Sequence, residues 1–378
     1  MTPRLLFVSH TAEWTGPTNS LLHLLRYFSS RFEVGVLCPG HGLFSEALQR
    51  EGIATISLPS LRRRRIPDIY RLVTSGGYDL VYGNNAGSAC RNAMIAAKLA
   101  RVPFACHVRG MGGRRKWRTL GFLRLADAVI AVSEACARAI SPYSGRRRLF
   151  VVHNGVDLAV FATDRHTRDA DRLALGLEAD TTLVVSVSHL CPRKGQGYAV
   201  EAMARIVRQV PSAHLLLVGA LDRNPRYVDE VRHGILKLNV EARVSILGFR
   251  NDVPQLLRAA DVFLHTAVSD PHPRAVIEAM GVGLPVVAFG VDGVKETVTP
   301  GTTGYLIPPG NVNELAGAVA KLLQDAQLRK QLGTEGRGRA ADSFSADATA
   351  ERVGEIIELT LRRSSPLARG RKREALSA

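Results

Sequence analysis

Residues 262–289 read VFLHTAVSDPHPRAVIEAMGVGLPVVAF. Val262 to His265 is a short apolar strand, and the Ser-Asp-Pro-His-Pro run after it is a turn. Pro273 is placed as the first residue of a helix that carries Glu278 and runs to Met280. A glycine turn follows, and Pro285 to Phe289 is an unbroken apolar strand of the kind buried on both faces. A strand, a helix and a second buried strand in succession fit the crossover that parallel pairing needs, so this stretch predicts an α/β chain with a doubly wound parallel sheet.

The same alternation extends in both directions. In the second half, strands are predicted at Leu183–Val187, His214–Val218 and Val244–Leu247 as well as at the two already named. In the first half they fall at Leu5–Ser9, Glu33–Cys38, Leu80–Tyr82, Phe104–Val108, Ala128–Val132 and Val151–Asp157, with a Gly-Pro turn at Gly16 and an apolar-periodic helix over Ser20–Phe28. Two Rossmann-like doubly wound domains in tandem are therefore expected, at residues 1–165 and 173–340, with the polar stretch Thr163–Arg172 connecting them. Residues 341–363 are expected to form amphipathic helical structure that packs back on a domain, and residues 364–378 a basic, poorly ordered tail. A chain of 378 residues, 46% hydrophobic and 22% charged, is long enough for two cores. Open α/β sheets bind ligands beyond the carboxyl ends of their strands, so candidate site residues are sought in the loops there.

Three loops carry chemistry. Thr15-Gly16-Pro17-Thr18-Asn19-Ser20 joins a strand to a helix start, where backbone amides can face an anion; a tight turn chosen for packing explains it as well. His189 to Gly195, after the first strand of the second domain, contains Arg193 and Lys194, cations able to stabilise the charge that develops on a departing diphosphate. In the opening stretch, amides around His272, Pro273, Arg274 and Ala275 can receive phosphate oxygens. Glu278, one turn further on, can take both hydroxyls of a ribose, and Asp270 can hold sugar hydroxyls. The pair Asp169-Ala-Asp171 lies in the polar connection and reads as solvated charge.

Taken together these residues resemble the GT-B-fold retaining glycosyltransferases of family 4, over nearly the whole chain. Matching features are the Gly16 loop, His107-Val108-Arg109-Gly110, Val132-Ser133-Glu134, His153-Asn154-Gly155-Val156-Asp157, Arg193-Lys194-Gly195, Gly248 to Asp252, Ala260-Asp261-Val262, and the acid-x7-Glu pattern that ends at Glu278. The resemblance implies that Lys194 binds the diphosphate of a nucleotide-sugar donor, Glu278 its ribose, Asp270 and the following amides its sugar and phosphates, and Gly16 its phosphates from the opposite wall. It also implies that His107 acts at the anomeric carbon and the acceptor. Expected chemistry is hexose transfer to a glycan or lipid-linked acceptor, with retention of configuration, no metal or other cofactor, and no covalent nucleophile. The chain departs from the family at His189, where an arginine is usual, at Asp270, where a glutamate is more common, and at Pro17, where a second glycine is lost.

Charge divides unevenly. Residues 1–170 hold 24 Lys and Arg against 11 Asp and Glu, whereas residues 171–361 hold 20 against 22. A basic first half implies an anionic counterpart, whether lipid headgroups, a phosphorylated acceptor or nucleic acid, unless it only reflects arginine usage in a GC-rich genome. Arg62–Arg65 and Arg114-Arg115-Lys116-Trp117-Arg118, the latter followed by Leu120, Phe122 and Leu123, suit peripheral docking on an anionic membrane, or equally a surface loop entering a core helix. No stretch approaches a membrane span, the first ten residues lack a signal-peptide core, and five scattered cysteines argue against disulfides, so a cytoplasmic location is expected. The alternative activity is a nucleotide-sugar epimerase of the same fold. A nucleic-acid binder lacks its aromatic or helix-turn-helix signature here, and a dinucleotide oxidoreductase lacks its G-x-G-x-x-G.

Overall fold

The computed structural model describes residues 2–111, 120–145, 148–162, 165–178 and 180–364. The chain divides into two compact units, one built from residues up to Gly155 together with the segment from Ala346, the other from Val156 to Ser345.

The first unit holds seven parallel strands: β1 Arg4–Ser9, β2 Glu33–Pro39, β3 Ala54–Leu58, β4 Leu80–Asn84, β5 Phe104–Val108, β6 Ala128–Ala131 and β7 Leu149–Val151, in the order β3-β2-β1-β4-β5-β6-β7. Successive residues of β1 feed opposite helical layers, as a period of two requires: Leu6 and Val8 join one core, Leu5 and Phe7 the other. The second unit repeats the design with β8 Thr182–Val187, β9 Ala213–Val218, β10 Val244–Gly248, β11 Val262–His265, β12 Val286–Phe289 and β13 Gly304–Ile307, in the order β10-β9-β8-β11-β12-β13. In each sheet the winding direction reverses once, between β1 and β4 and between β8 and β11. Those two points are where an open α/β sheet presents a crevice.

Several expectations need correction. Gly16 to Ser20 is not a loop: the helix runs Gly16–Phe28, with Thr15 as its N-cap and a reciprocal Thr15–Thr18 capping box. The strand expected over Val151–Asp157 ends at Val151, and Val156 donates its N–H to the Phe344 carbonyl (2.9 Å) inside the second unit. The polar stretch expected as a connection contributes a helix, Arg165–Ala174, to the second unit. There Asp171 is not solvated but pairs with Arg258 (2.6 Å), both side chains nearly buried. Arg168 and Arg172 from this helix converge with Arg329 on the Asp261 carboxylate, which also accepts the Leu183 N–H at 2.8 Å. The edge strands β3 and β13 are additions to the expected set.

The helix Ala346–Ser364 returns to the first unit, where Ala350, Val353, Ile356 and Ile357 complete the core around Phe28. The Arg114–Arg118 cluster and residues 365–378 lie outside the described residues. Leu120, Phe122 and Leu123, however, are buried in the first unit's core, so the apolar half of the expected membrane-docking patch does not face solvent. No described helix is long and apolar enough to cross a membrane.

Candidate active site

In the second unit the candidate residues gather at the β8/β11 reversal. The turn Pro192–Lys194 ends on Gly195, in the left-handed region (φ 68°), where a Cβ would lie 2.2 Å from the Thr266 carbonyl oxygen; only glycine lets the two loops approach so closely. The contact is stitched by Thr266 Oγ1 donating to Lys194 O (3.1 Å), Val268 N–H to Arg193 O (2.9 Å) and Arg193 Nη1 to Ser269 O (2.7 Å). Lys194 Nζ is thereby brought to 2.5 Å from Asp270 Oδ2, and His265 Nε2 to 3.2 Å from the same oxygen. Burial opposes ionisation of Asp270, but the Lys194 ammonium and the His265 hydrogen bond outweigh it and hold the carboxyl well below the usual carboxylate range. Burial lowers the pKa of His265, so the neutral ring donates through Nε2.

The Asp270 loop is held from behind by a segment absent from the sequence-derived site. Asp292, after β12, accepts Ser269 Oγ (2.6 Å) and the Asp270 N–H (3.0 Å), while Gly293 N–H donates to the Asp270 carbonyl at 3.1 Å. Gly293 lies so close that a Cβ would be 1.8 Å from the Pro271 carbonyl oxygen.

The helix that follows is Arg274–Val282, and Pro273 is its N-cap rather than its first residue. Amides of the first turn have no acceptor within the helix itself. Arg274 Nη2 lies 3.5 Å from Glu278 Oε1, both side chains nearly buried. Burial pushes the Glu278 carboxyl up, and Arg274 counters it. His272 is buried, its ring edge-on to that of Phe344 with centroids 5.4 Å apart. His189 is lowered to about 4, by burial first and then by Lys194, Arg193 and Arg223, so it is neutral at physiological pH. The charge removed by the family's missing arginine is therefore not restored by titration at this position.

In the first unit, parallel register sets Ser9, Asn84 and His107 side by side at the carboxyl ends of β1, β4 and β5. His107 is fully buried, with Nδ1 2.6 Å from the Tyr82 hydroxyl and 3.3 Å from Arg109 Nη2. Arg109 spreads over three elements: its Nε donates to Asn84 Oδ1 and its Nη1 to Asn154 Oδ1, each at 2.7 Å. Asn84 in turn donates to the Pro17 carbonyl (2.9 Å), tying this network to the start of the Gly16 helix. His107 Nε2 is buried without a hydrogen-bond partner among the described residues. A buried polar group left unpaired costs about 1–3 kcal/mol, which marks the position as built for something other than packing.

The structure thus brings Lys194, Arg193, His189 and Asp270 together, sets Arg274, Ala275 and Glu278 on the adjoining helix, packs the His272 ring against Phe344, and joins His107 to the Gly16 helix start through Arg109 and Asn84. Residues the sequence reading missed are Asp292, His265, Tyr82, Asn84 and the side-chain role of Arg109. The only linear signal for Asp292 is an Asp-Gly step after an apolar strand.

The two doubly wound parallel sheets have the GT-B architecture. The structure superposes on HepE from Anabaena, solved in complex with UDP-glucose, with a TM-score of 0.86 and 27% identity over 94% of this chain and 99% of that one. The family model described as Glycosyltransferase Family 4 matches residues 14–160, and that described as Glycosyl transferases group 1 matches residues 167–339. The chain belongs to this family and is a glycosyltransferase. Among curated relatives, the UDP-Gal:alpha-D-GlcNAc-diphosphoundecaprenol alpha-1,3-galactosyltransferase of Escherichia coli is 24% identical over 326 residues, 79% of this chain and 82% of that protein. The GDP-mannose-dependent monoacylated alpha-(1-6)-phosphatidylinositol monomannoside mannosyltransferase of Corynebacterium glutamicum is 30% identical over 258 residues, 65% of each chain. The relatives are transferases, and the epimerase alternative finds no support among them.

Proposed function

We propose that this enzyme transfers a hexose-type sugar from a nucleoside-diphosphate sugar to a glycan or lipid-linked acceptor, with retention of configuration and without a metal ion. The observation that carries the reading is the Lys194–Asp270 pair at the β8/β11 reversal, set against the start of the Glu278 helix. Lys194 and the first-turn amides stabilise the leaving diphosphate electrostatically as the glycosidic bond breaks. Glu278 receives the ribose hydroxyls, and its raised pKa makes a hydrogen-bonding partner favourable. Asp270, held ionised, accepts from the donor sugar. Neither Asp270 nor His107 serves as a covalent nucleophile; the departing phosphate assists removal of the acceptor proton.

UDP-hexose donors are favoured by the UDP-glucose complex of HepE and by the UDP-Gal donor in the name of the E. coli relative. The lipid-linked acceptors in the two relatives' names support the same class here. Contact with an anionic membrane surface, if the acceptor lies there, is electrostatic, through exposed arginines such as Arg62–Arg64 and not through Leu120–Leu123.

Incubation with UDP-, GDP- and ADP-sugars in the presence of chelator tests the proposal. A nucleotide sugar should bind and be turned over, while Lys194→Ala and Glu278→Gln should each lose about 10–100-fold in donor affinity or turnover, the worth of one charge-assisted hydrogen bond. Binding of no nucleotide sugar, or full activity of both variants, refutes it. Flotation with and without anionic lipid tests the surface contact, which is wrong if lipid charge makes no difference.

A further inference from the structure

We propose that Tyr82 and Arg109 are positioning residues that lock His107 in the neutral tautomer protonated at Nε2, so that it offers a hydrogen bond to substrate and does not act as a general base. The inference rests on His107 meeting the donor sugar or acceptor, as proposed above, and assigns its chemical form.

Arg109 faces the Nδ1 side of the His107 ring. A guanidinium has donors and no acceptor, so its Nη2, 3.3 Å from His107 Nδ1, can only donate there. A proton on Nδ1 would set two N–H groups against each other. Nδ1 therefore carries the lone pair, and the Tyr82 hydroxyl, at 2.6 Å, is oriented to donate to it as well. Burial keeps that phenol protonated, raising its pKa well above the ordinary tyrosine value. The remaining ring proton belongs on Nε2, the atom left without a partner among the described residues.

Ionisable groups near this pair are Arg109 on His107, and Arg109, Cys90 and Cys106 on Tyr82. The Cys90 thiol is pushed up to about 12 and Cys106 well above its usual value, both by burial, so of these only Arg109 carries charge at neutral pH. Burial first, and Arg109 second, lower the His107 pKa well below 6.5 and exclude the imidazolium. Asn84 at the end of β4 and Asn154 in the loop after β7 hold the guanidinium in place, which makes the lock rigid.

Long-range 1H–15N spectra of the histidine-labelled full chain, assigned with His107→Gln, read the tautomer without any need for activity. The expected result is a neutral ring with the Nε2–H pattern from pH 5.5 to 8. Tyr82→Phe, which removes only the hydroxyl, should shift the Nδ1 resonance and lower kcat several-fold with little change in the donor KM, while removal of both donors in Tyr82→Phe with Arg109→Met should let an Nδ1–H form appear. In turnover, His107→Gln, which keeps a side-chain N–H, should retain at least tenfold more kcat than His107→Leu. An Nδ1–H or charged ring in the wild type, an unaltered spectrum in Tyr82→Phe, or equal losses in the Gln and Leu variants would overturn the proposal. If instead the wild type turns over no nucleotide sugar while the Nε2–H pattern and its loss in the double variant are seen, the functional reading fails and the lock stands.

Discussion

Replacing Gly293 with alanine adds one methyl group at a position with no room for it. The new Cβ would lie 1.8 Å from the Pro271 carbonyl oxygen and 2.6 Å from its carbon, both backbone atoms that cannot rotate away. Relief requires the 269–272 loop and the 292–293 turn to part by more than about 1 Å, which breaks the Gly293 N–H to Asp270 O bond and strains the Asp292 contacts. Overpacking of this kind costs about 1–3 kcal/mol. For a unit of this size that is a drop in Tm of roughly 2–12 °C. The larger effect should be on function, because the displaced loop carries Asp270 and the amides of the Glu278 helix, and a misplacement of about 1 Å can cost about 100-fold in rate. Thermal unfolding alongside donor turnover distinguishes the two: kcat/KM should fall about 100-fold in a protein that is still folded at assay temperature. Wild-type turnover in Gly293→Ala would refute the view that this turn positions the site.

Asp270→Asn tests linkage. Because the native carboxyl is held below its unfolded value, it contributes stability present above pH ~4 and lost as pH falls further, so the wild-type advantage over the variant in denaturant titrations should be full at pH 7 and shrink below pH 4. A constant difference down to the lowest pH at which both fold would contradict it. His189, neutral above about pH 4, should leave no imidazole inflection in nucleotide-sugar affinity between pH 5.5 and 8; an inflection near 6.5 that vanishes in His189→Gln would show the ring to be charged when donor binds. Asp261→Ala should destabilise the second unit by about 3–5 kcal/mol, measured by chemical denaturation, since it strips Arg168 and Arg172 of a nearly buried partner. Donor affinity, measured below the transition, should be unchanged, and a stable variant would show the cluster to be ornamental.

How much of this was legible in the sequence depended on the range of the interaction. Unbroken apolar runs such as Val286–Phe289 announce a central parallel strand locally, and the turns after β8 and β11 advertise Lys194, Asp270 and Glu278 by residue type and spacing alone. The edge strand β3 does not announce itself: it is only partly buried, and its sequence lacks a continuous apolar run. Asp171 reads as solvated because its partner Arg258 lies 87 residues away, and Asp292 is silent because it meets Asp270 only once β11 and β12 pair. The helix start at Gly16 was misplaced because its capping box uses threonine, not an acid or amide, at the third position. Leu120, Phe122 and Leu123 have the composition of a membrane-facing patch; only packing shows them to be core.

The return of Ala346–Ser364 to the first unit sets an order of assembly. During synthesis, the ribosome completes every residue of the second unit before it delivers the helix whose Val353, Ile356 and Ile357 cover Phe28. The first sheet emerges first yet is finished last, and until then it waits with part of its core exposed to solvent and to chaperones.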